Sequence, residues 1–265
     1  MPNQLFELLV GYYTILFLIY GAYKDLKYRE VENRVWGLML LSAIPISFIR
    51  FFLYFGTVEF LISMISIVIG VGFSFLIWSF GLFGGADAKA FMCTSLLCPI
   101  FPFLELTSST SFFLAVLLPF PLAQMMNTYV LVIPLPLLIF VWNLVSYFKE
   151  KEKFKEPEGG YKKLFAMFLG SPISLERVKK LPPWHYGFLE KKTDEKNWEF
   201  DFTVGLGDEE EDLAKRKEII SQCEEDNKEI IWVQRSIPLM VPMVCGFFLS
   251  LHLGNIIVNL FLFLS

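Results

Sequence analysis

Gly81-Leu82-Phe83-Gly84-Gly85-Ala86-Asp87-Ala88-Lys89 is the stretch that decides how this chain folds. It lies between two long apolar segments and brings a carboxylate, Asp87, to the mouth of the second. Ionisable groups at membrane depth are costly, so an acid in such a place is a candidate functional residue. A second acid, Asp25, holds a matching place at the end of the first apolar segment of the chain. These two carboxylates read as one catalytic pair.

The composition around them supports a membrane setting. The chain has 265 residues, 55% of them hydrophobic, and contains 29 Phe. Lys149 to Arg235 holds 37 of the 50 charged side chains, and seven of the other 13 are packed between Lys24 and Arg34. Several nearly charge-free windows are therefore long enough to cross a bilayer, which takes about 20 residues per helix. The net charge of -4 argues against a nucleic-acid partner. Cys93, Cys98, Cys223 and Cys245 are scattered without CxxC spacing, and there are only two histidines, His185 and His252. That pattern gives no support to a metal site or a metal cofactor.

Working outward, the chain reads as an α-helical polytopic membrane protein of six transmembrane helices with a small α+β cytoplasmic insert. The first helix spans about Leu5 to Ala22, with Glu7 at an interface; it has no basic n-region or small-residue cleavage site and reads as retained. The loop from Tyr23 to Arg34 carries four bases and is cytoplasmic by the positive-inside rule, so the N-terminus lies outside. Helices follow at about Val35 to Tyr54 with a kink at Pro45, at Val58 to Phe80, and at Ala86 to Leu106. Ser111 to Leu122 reads as an interfacial or re-entrant piece, Met126 to Phe148 as the fifth crossing, and Ile237 to Leu264 as the sixth, leaving the C-terminus outside. Residues 1–148 thus form a membrane domain with the active site, 149–235 a soluble cytoplasmic domain, and 236–265 the last helix. In the soluble part, Trp198 to Val204 alternates as a half-buried strand, with a hairpin partner in His185 to Lys192. Asp208 to Asp226 reads as an acid-capped amphipathic helix with Leu213, Ile219 and Ile220 on its apolar side.

The topology sets Asp25 and Asp87 at the same leaflet. Two carboxylates sharing a site do not both ionise cheaply, so such a pair holds a proton at neutral pH. One member then acts as base towards a water while the other donates to a scissile carbonyl, which is metal-free aspartic-protease chemistry. Gly84 and Gly85 suit a place where backbone approaches the acid closely. The helix N-terminus at Asp87 favours a carboxylate there.

On these residues the chain resembles the type IV prepilin peptidases, and among them the archaeal preflagellin peptidases, membrane aspartic proteases of the GxGD class. Asp25-Leu26-Lys27-Tyr28-Arg29-Glu30-Val31-Glu32-Asn33 is similar to that family's aspartate, basic residues and asparagine, with Glu32 where proline is common. Gly84-Gly85-Ala86-Asp87-Ala88-Lys89 is similar to its second motif, with Ala86 in place of a glycine. The resemblance implies catalysis by Asp25 and Asp87, with Gly84, Gly85, Ala86, Lys89 and Asn33 in support. It implies removal of short basic leader peptides from preflagellin or prepilin substrates at the cytoplasmic face, with membrane lipid as the surrounding partner and no cofactor.

Several features have competing readings. Asp25 alone reads as an interfacial acid paired with Lys24 or Lys27; Asp87 is what lifts it above that. Lys89 either snorkels to the headgroups or helps hold Asp87 ionised. A literal GxGD string, Gly205-Leu206-Gly207-Asp208, is a turn and helix cap in an acidic first turn rather than a second site. Glu209, Glu210 and Glu211 either steer a basic leader or form a solvated face. A proton-coupled transporter would use paired acids as a relay, and a membrane-anchored scaffold would use the insert as its working part. The chain shows no inverted repeats for the first, and the second leaves the two acids unexplained.

Overall fold

The computed structural model describes residues 2–54, 56–80, 84–102, 116–155, 157, 160–182, 186–193, 197–202, 209–235 and 238–264. It is mostly helical and divides into two units, 1–132 with 238–265, and 133–237. Among the described residues, four helices are long and apolar enough to cross a membrane: Gln4–Tyr28, Asn33–Tyr54, Thr57–Ser79 and Phe120–Lys149. This is a polytopic membrane protein.

The first unit contains α1 (Pro2–Tyr28), α2 (Asn33–Ile49), α3 (Thr57–Ser79), α4 (Gly85–Leu97), α5 (Phe120–Val132), α10 (Met240–Leu253) and α11 (Ile256–Leu264). Its core is built from Leu18, Met39, Phe91, Leu97, Phe120, Met243 and Phe247, while Leu41, Ile44 and Val68 face outward. Lipid is as apolar as these side chains, so close packing of small residues must hold the helices together. Gly70 of α3 meets Ser95 and Pro121, where a Cβ would come within 2.4 Å of Ser95 Oγ. Gly246 of α10 lies so close to Thr128 of α5 that a Cβ would be 2.7 Å from that residue's backbone nitrogen.

Several segment boundaries differ from those expected. The fourth helix stops at Leu97 instead of continuing towards Leu106, because Cys98 precedes Pro99 and leaves helical geometry. Residues 103–115, which include part of the expected re-entrant piece, lie outside the described set; α5 begins at Phe120, inside that piece. The final apolar segment is two helices, broken at Gly254 with φ 69°. Asn127 of α5 holds the break: its Nδ2 donates to Ser250 Oγ and to the Gly254 carbonyl, each at 2.8 Å, and its Oδ1 accepts from Ile256 N–H at 3.0 Å. Asn255 then caps α11, accepting from Ile257 and Val258 N–H.

Glu7 is enclosed among the helices. It is 4% exposed and forms a bidentate pair with the fully buried Arg50, at 2.7 Å to Nε and 2.8 Å to Nη2. Arg50 opens a π-helical turn, Arg50–Tyr54, which follows Pro45 at the end of α2. Its Nη2 also donates to the Leu97 carbonyl at 2.6 Å, taking up an end group of α4.

The second unit contains α6 (Pro134–Lys149), α7 (Gly160–Leu169), β1 (Ser171–Ser174), α8 (Leu175–Lys180), β2 (Tyr186–Phe188), β3 (Glu190–Lys192), β4 (Trp198–Phe200), α9 (Glu209–Glu225) and β5 (Ile230–Arg235). Antiparallel β5 is the central strand of a sheet ordered β1-β5-β2, with Ile173 opposite Ile231 and Phe188 opposite Val233. The expected hairpin forms between β3 and β4, with Glu190 opposite Phe200. Trp232 is fully buried, and its N–H donates to the buried Glu190 carboxylate at 2.9 Å; Lys228 neutralises the same group. On α9, Leu213 is 40% exposed, and Cys223 instead enters the core.

Breaking the Glu7–Arg50 pair from one side strands a buried charge. Arg50→Met is expected to cost about 3–5 kcal/mol, whereas Arg50→Met with Glu7→Leu should restore most of that loss. Thermal unfolding of the detergent-solubilised protein, comparing the single and double variants, checks this.

Candidate active site

Asp25 sits in the last turn of α1, where Arg29 N–H bonds its carbonyl at 3.0 Å. Arg29 ends the helix at φ 57° and its charge acts on the Asp25 carboxyl. One turn earlier, Gly21 leaves room for Met240, whose Cε lies 2.7 Å from where a Cβ would be. That close approach brings the start of α10 to α1, and the Met240 backbone N–H approaches the Asp25 carboxyl. Asp25 is half-buried, and its Oδ2 is enclosed with no hydrogen-bond partner among the described residues.

Asp87 is the third residue of α4, after Gly84 at the cap position. From there a carboxylate reaches back to the cap's own N–H, which is half of a capping box. The Gly84 N–H lies near enough to act on the Asp87 carboxyl. Gly84 lacks a side chain, and a Cβ there would lie 3.0 Å from Asp87 Oδ2. Gly85 has no such constraint, its nearest neighbour being Trp78 Nε1 at 3.9 Å. Asp87 is half-buried and lies close enough to Asp25 to feel its charge. The structure therefore brings the two sequence-predicted acids into one electrostatic environment.

The supporting residues are partly assembled there. Lys89 Nζ donates to Asn33 Oδ1 at 2.7 Å, tying the start of α4 to the start of α2. Of the two readings of Lys89, its bond to Asn33 favours neither; it is a strut between helices. Ala86 packs against the core. Lys24 pairs with Glu32 at 3.1 Å. Glu209, Glu210 and Glu211 belong to the first turn of α9 in the second unit, and Gly205 to Asp208 lie outside the described residues.

Two neighbours of the acids were not expected from the sequence. Tyr129 of α5 is near enough to Asp87 to feel its charge, and Met240 contributes only its backbone. Both lie in apolar runs, where a tyrosine or a main-chain N–H leaves no recognisable pattern. Among the described residues no cluster of His, Cys, Asp and Glu suits a metal ion.

The geometry is that of two acids at the ends of packed helices. Residues 12–123, which contain both acids, match the type IV leader peptidase family. The chain is 28% identical to the preflagellin peptidase of Methanococcus voltae over 258 residues, 94% of this chain and 96% of that one. It is 25% identical to the preflagellin peptidase of Methanocaldococcus jannaschii over 246 residues, 92% and 94% of the two chains. The chain is thus similar to leader peptidases over residues 12–123 and to preflagellin peptidases over most of its length. The family match spans Asn33, Gly84, Gly85, Ala86 and Lys89 as well as the acids, and leaves the acidic turn at 209–211 outside.

Gly84 offers a sharp test of the candidate site's local geometry. Gly84→Ala is expected to press on the Asp87 carboxylate and lower kcat by about tenfold to a hundredfold with KM little changed, while Gly85→Ala keeps most activity. Steady-state kinetics on a leader-bearing substrate separates the two.

Proposed function

We propose that the peptidase removes the short basic leader of preflagellin-like substrates at the cytoplasmic membrane face, with Asp25 and Asp87 as its catalytic dyad. The observation that carries this is the placement of the two carboxyls at the last turn of α1 and the first turn of α4, inside the segment that matches the leader peptidases. In this reading one carboxylate takes a proton from water, and the hydroxide forms a bond to the scissile carbonyl carbon. The other, protonated, acid donates to the carbonyl oxygen. The resulting gem-diol collapses as the leaving amine takes a proton, and the C–N bond breaks. The enclosed Asp25 Oδ2 supports this role, since a buried oxygen with no hydrogen-bond partner among the described residues is available to a water or a substrate group.

The same proposal takes residues 149–235 as a soluble cytoplasmic domain, both termini as external, and six crossings in all. It takes the substrate as a preflagellin or prepilin whose apolar helix lies in lipid and whose basic end meets the inner leaflet.

Asp25→Asn and Asp87→Asn should each reduce cleavage of a preflagellin in membranes to background while leaving the protein inserted. An amide has no proton to exchange, so near-normal processing by either variant would overturn the dyad. Asp208→Asn, in the literal GxGD string Gly205 to Asp208, should keep most activity.

Steering of the leader by the acidic turn of α9 is part of the proposal. Replacing Glu209, Glu210 and Glu211 together by Gln should raise KM and leave kcat nearly unchanged. The parent enzyme should lose activity at low substrate as salt shortens the Debye length to about 8 Å or less. An unaltered KM with the salt response intact would remove the steering role.

A further inference from the structure

The helix α7, Gly160–Leu169, has a buried face and an exposed face, and both are apolar. Ala166 and Met167 enter the core of the second unit with Trp232 and Phe154. On the other side Tyr161 is 80% exposed and Leu164 and Phe165 are each 54% exposed, with the half-exposed Phe168 next along. The spacing i, i+3, i+4, i+7 makes these four one continuous stripe. A soluble domain does not present such a stripe to water without a partner.

The neighbouring helix indicates what covers it. α6 is the second half of a candidate membrane span, Phe120–Lys149, and it exposes Val141, Trp142, Val145 and Phe148. After Lys149 the chain turns back, and the C-terminal end of α7 docks on the middle of α6. Asn143 Nδ2 donates to the Met167 carbonyl at 2.8 Å and to the Gly170 carbonyl at 2.6 Å. Phe168 stacks on Phe140 with centroids 4.2 Å apart and planes at 7°. Asn143 precedes Lys149 by six residues, so this contact lies about 9 Å back along the helix from its charged end. Through the Phe168–Phe140 contact the stripe on α7 adjoins α6.

We propose that α7 is an interfacial helix that lays Tyr161, Leu164 and Phe165 into the lipid at the headgroup boundary. Its surroundings fit that level. Tyr and Trp favour the membrane interface, and Tyr161, Trp142 and Tyr147 are all here and exposed. Six lysines lie between 149 and 163 against four glutamates, an excess that suits an anionic lipid surface. The partner is the bilayer, held at a second place besides the transmembrane helices.

Lipid-exposed probes test the assignment in the full-length protein, one copy per nanodisc. Cysteines are placed singly at Tyr161, Leu164, Val141 and Glu218 in a Cys245→Ser background, since the other native cysteines are buried. Each carries an environment-sensitive fluorophore. Labels at 161 and 164 should be quenched by nitroxide-bearing lipid to within about twofold of the Val141 label. They should resist aqueous iodide at least tenfold better than the Glu218 label on α9. If the labels at 161 and 164 follow Glu218, the stripe faces water and the proposal fails. If they are shielded from both quenchers, protein covers the stripe and the proposal fails equally. The Val141 label reports insertion independently, so a membrane-inserted protein with a water-facing α7 remains distinguishable from a protein that is not inserted.

Discussion

A buried ion pair holds the membrane unit together. Glu7, Arg50 and the Leu97 carbonyl meet where three helices would otherwise slide freely past one another. In lipid, apolar contacts give little preference for one axial position over another, because the surroundings are as greasy as the interface. A bidentate charge pair has one geometry and is costly to leave half-made. It sets α1, the end of α2 and the end of α4 to common depth. Since Asp25 lies on α1 and Asp87 on α4, the register of the two acids follows from a contact near the other ends of those helices.

Close packing at glycines completes that arrangement. Gly21 admits Met240, Gly70 admits Ser95 and Pro121, and Gly246 admits Thr128. These approaches bring polar backbone and small hydroxyls together where water is absent. The Asn127 amide serves the same end at the break between α10 and α11, supplying the hydrogen bonds that the interrupted helix cannot make for itself.

Much of this was legible in the residues, for identifiable reasons. Long apolar runs announce helices, and the acids at their ends stand out because charge is so scarce there. The hairpin of β3 and β4 showed in the alternation around Trp198. The early end of α4 and the break at Gly254 were also written locally, in Cys98-Pro99 and Gly254-Asn255, but an apolar run masks such signals when only its length is counted. The pairing of Glu7 with Arg50 was not legible. It joins residues 43 apart through a π-turn that no periodicity marks. The central strand β5 hid for a related reason: Ile230-Ile231-Trp232-Val233 is a continuous apolar run without alternation, as expected of a strand buried on both faces. At the candidate site the two acids stand out in the sequence because charge is scarce there, whereas Tyr129 and the Met240 backbone come beside them only through packing.

Arg29 shows what the chain tolerates beside its acids. A left-handed backbone is comfortable for glycine and costs other residues of order 1–3 kcal/mol. At φ 57° this position would suit glycine better than arginine on conformational grounds alone. Glycine, however, would remove the guanidinium whose charge acts on Asp25. The two demands on this residue pull in opposite directions, so a substitution that relaxes the main chain here should make a sturdier protein with a poorer environment for its carboxylate. Main-chain comfort and the charge beside Asp25 are in that sense alternatives at this loop, and the native residue keeps the charge.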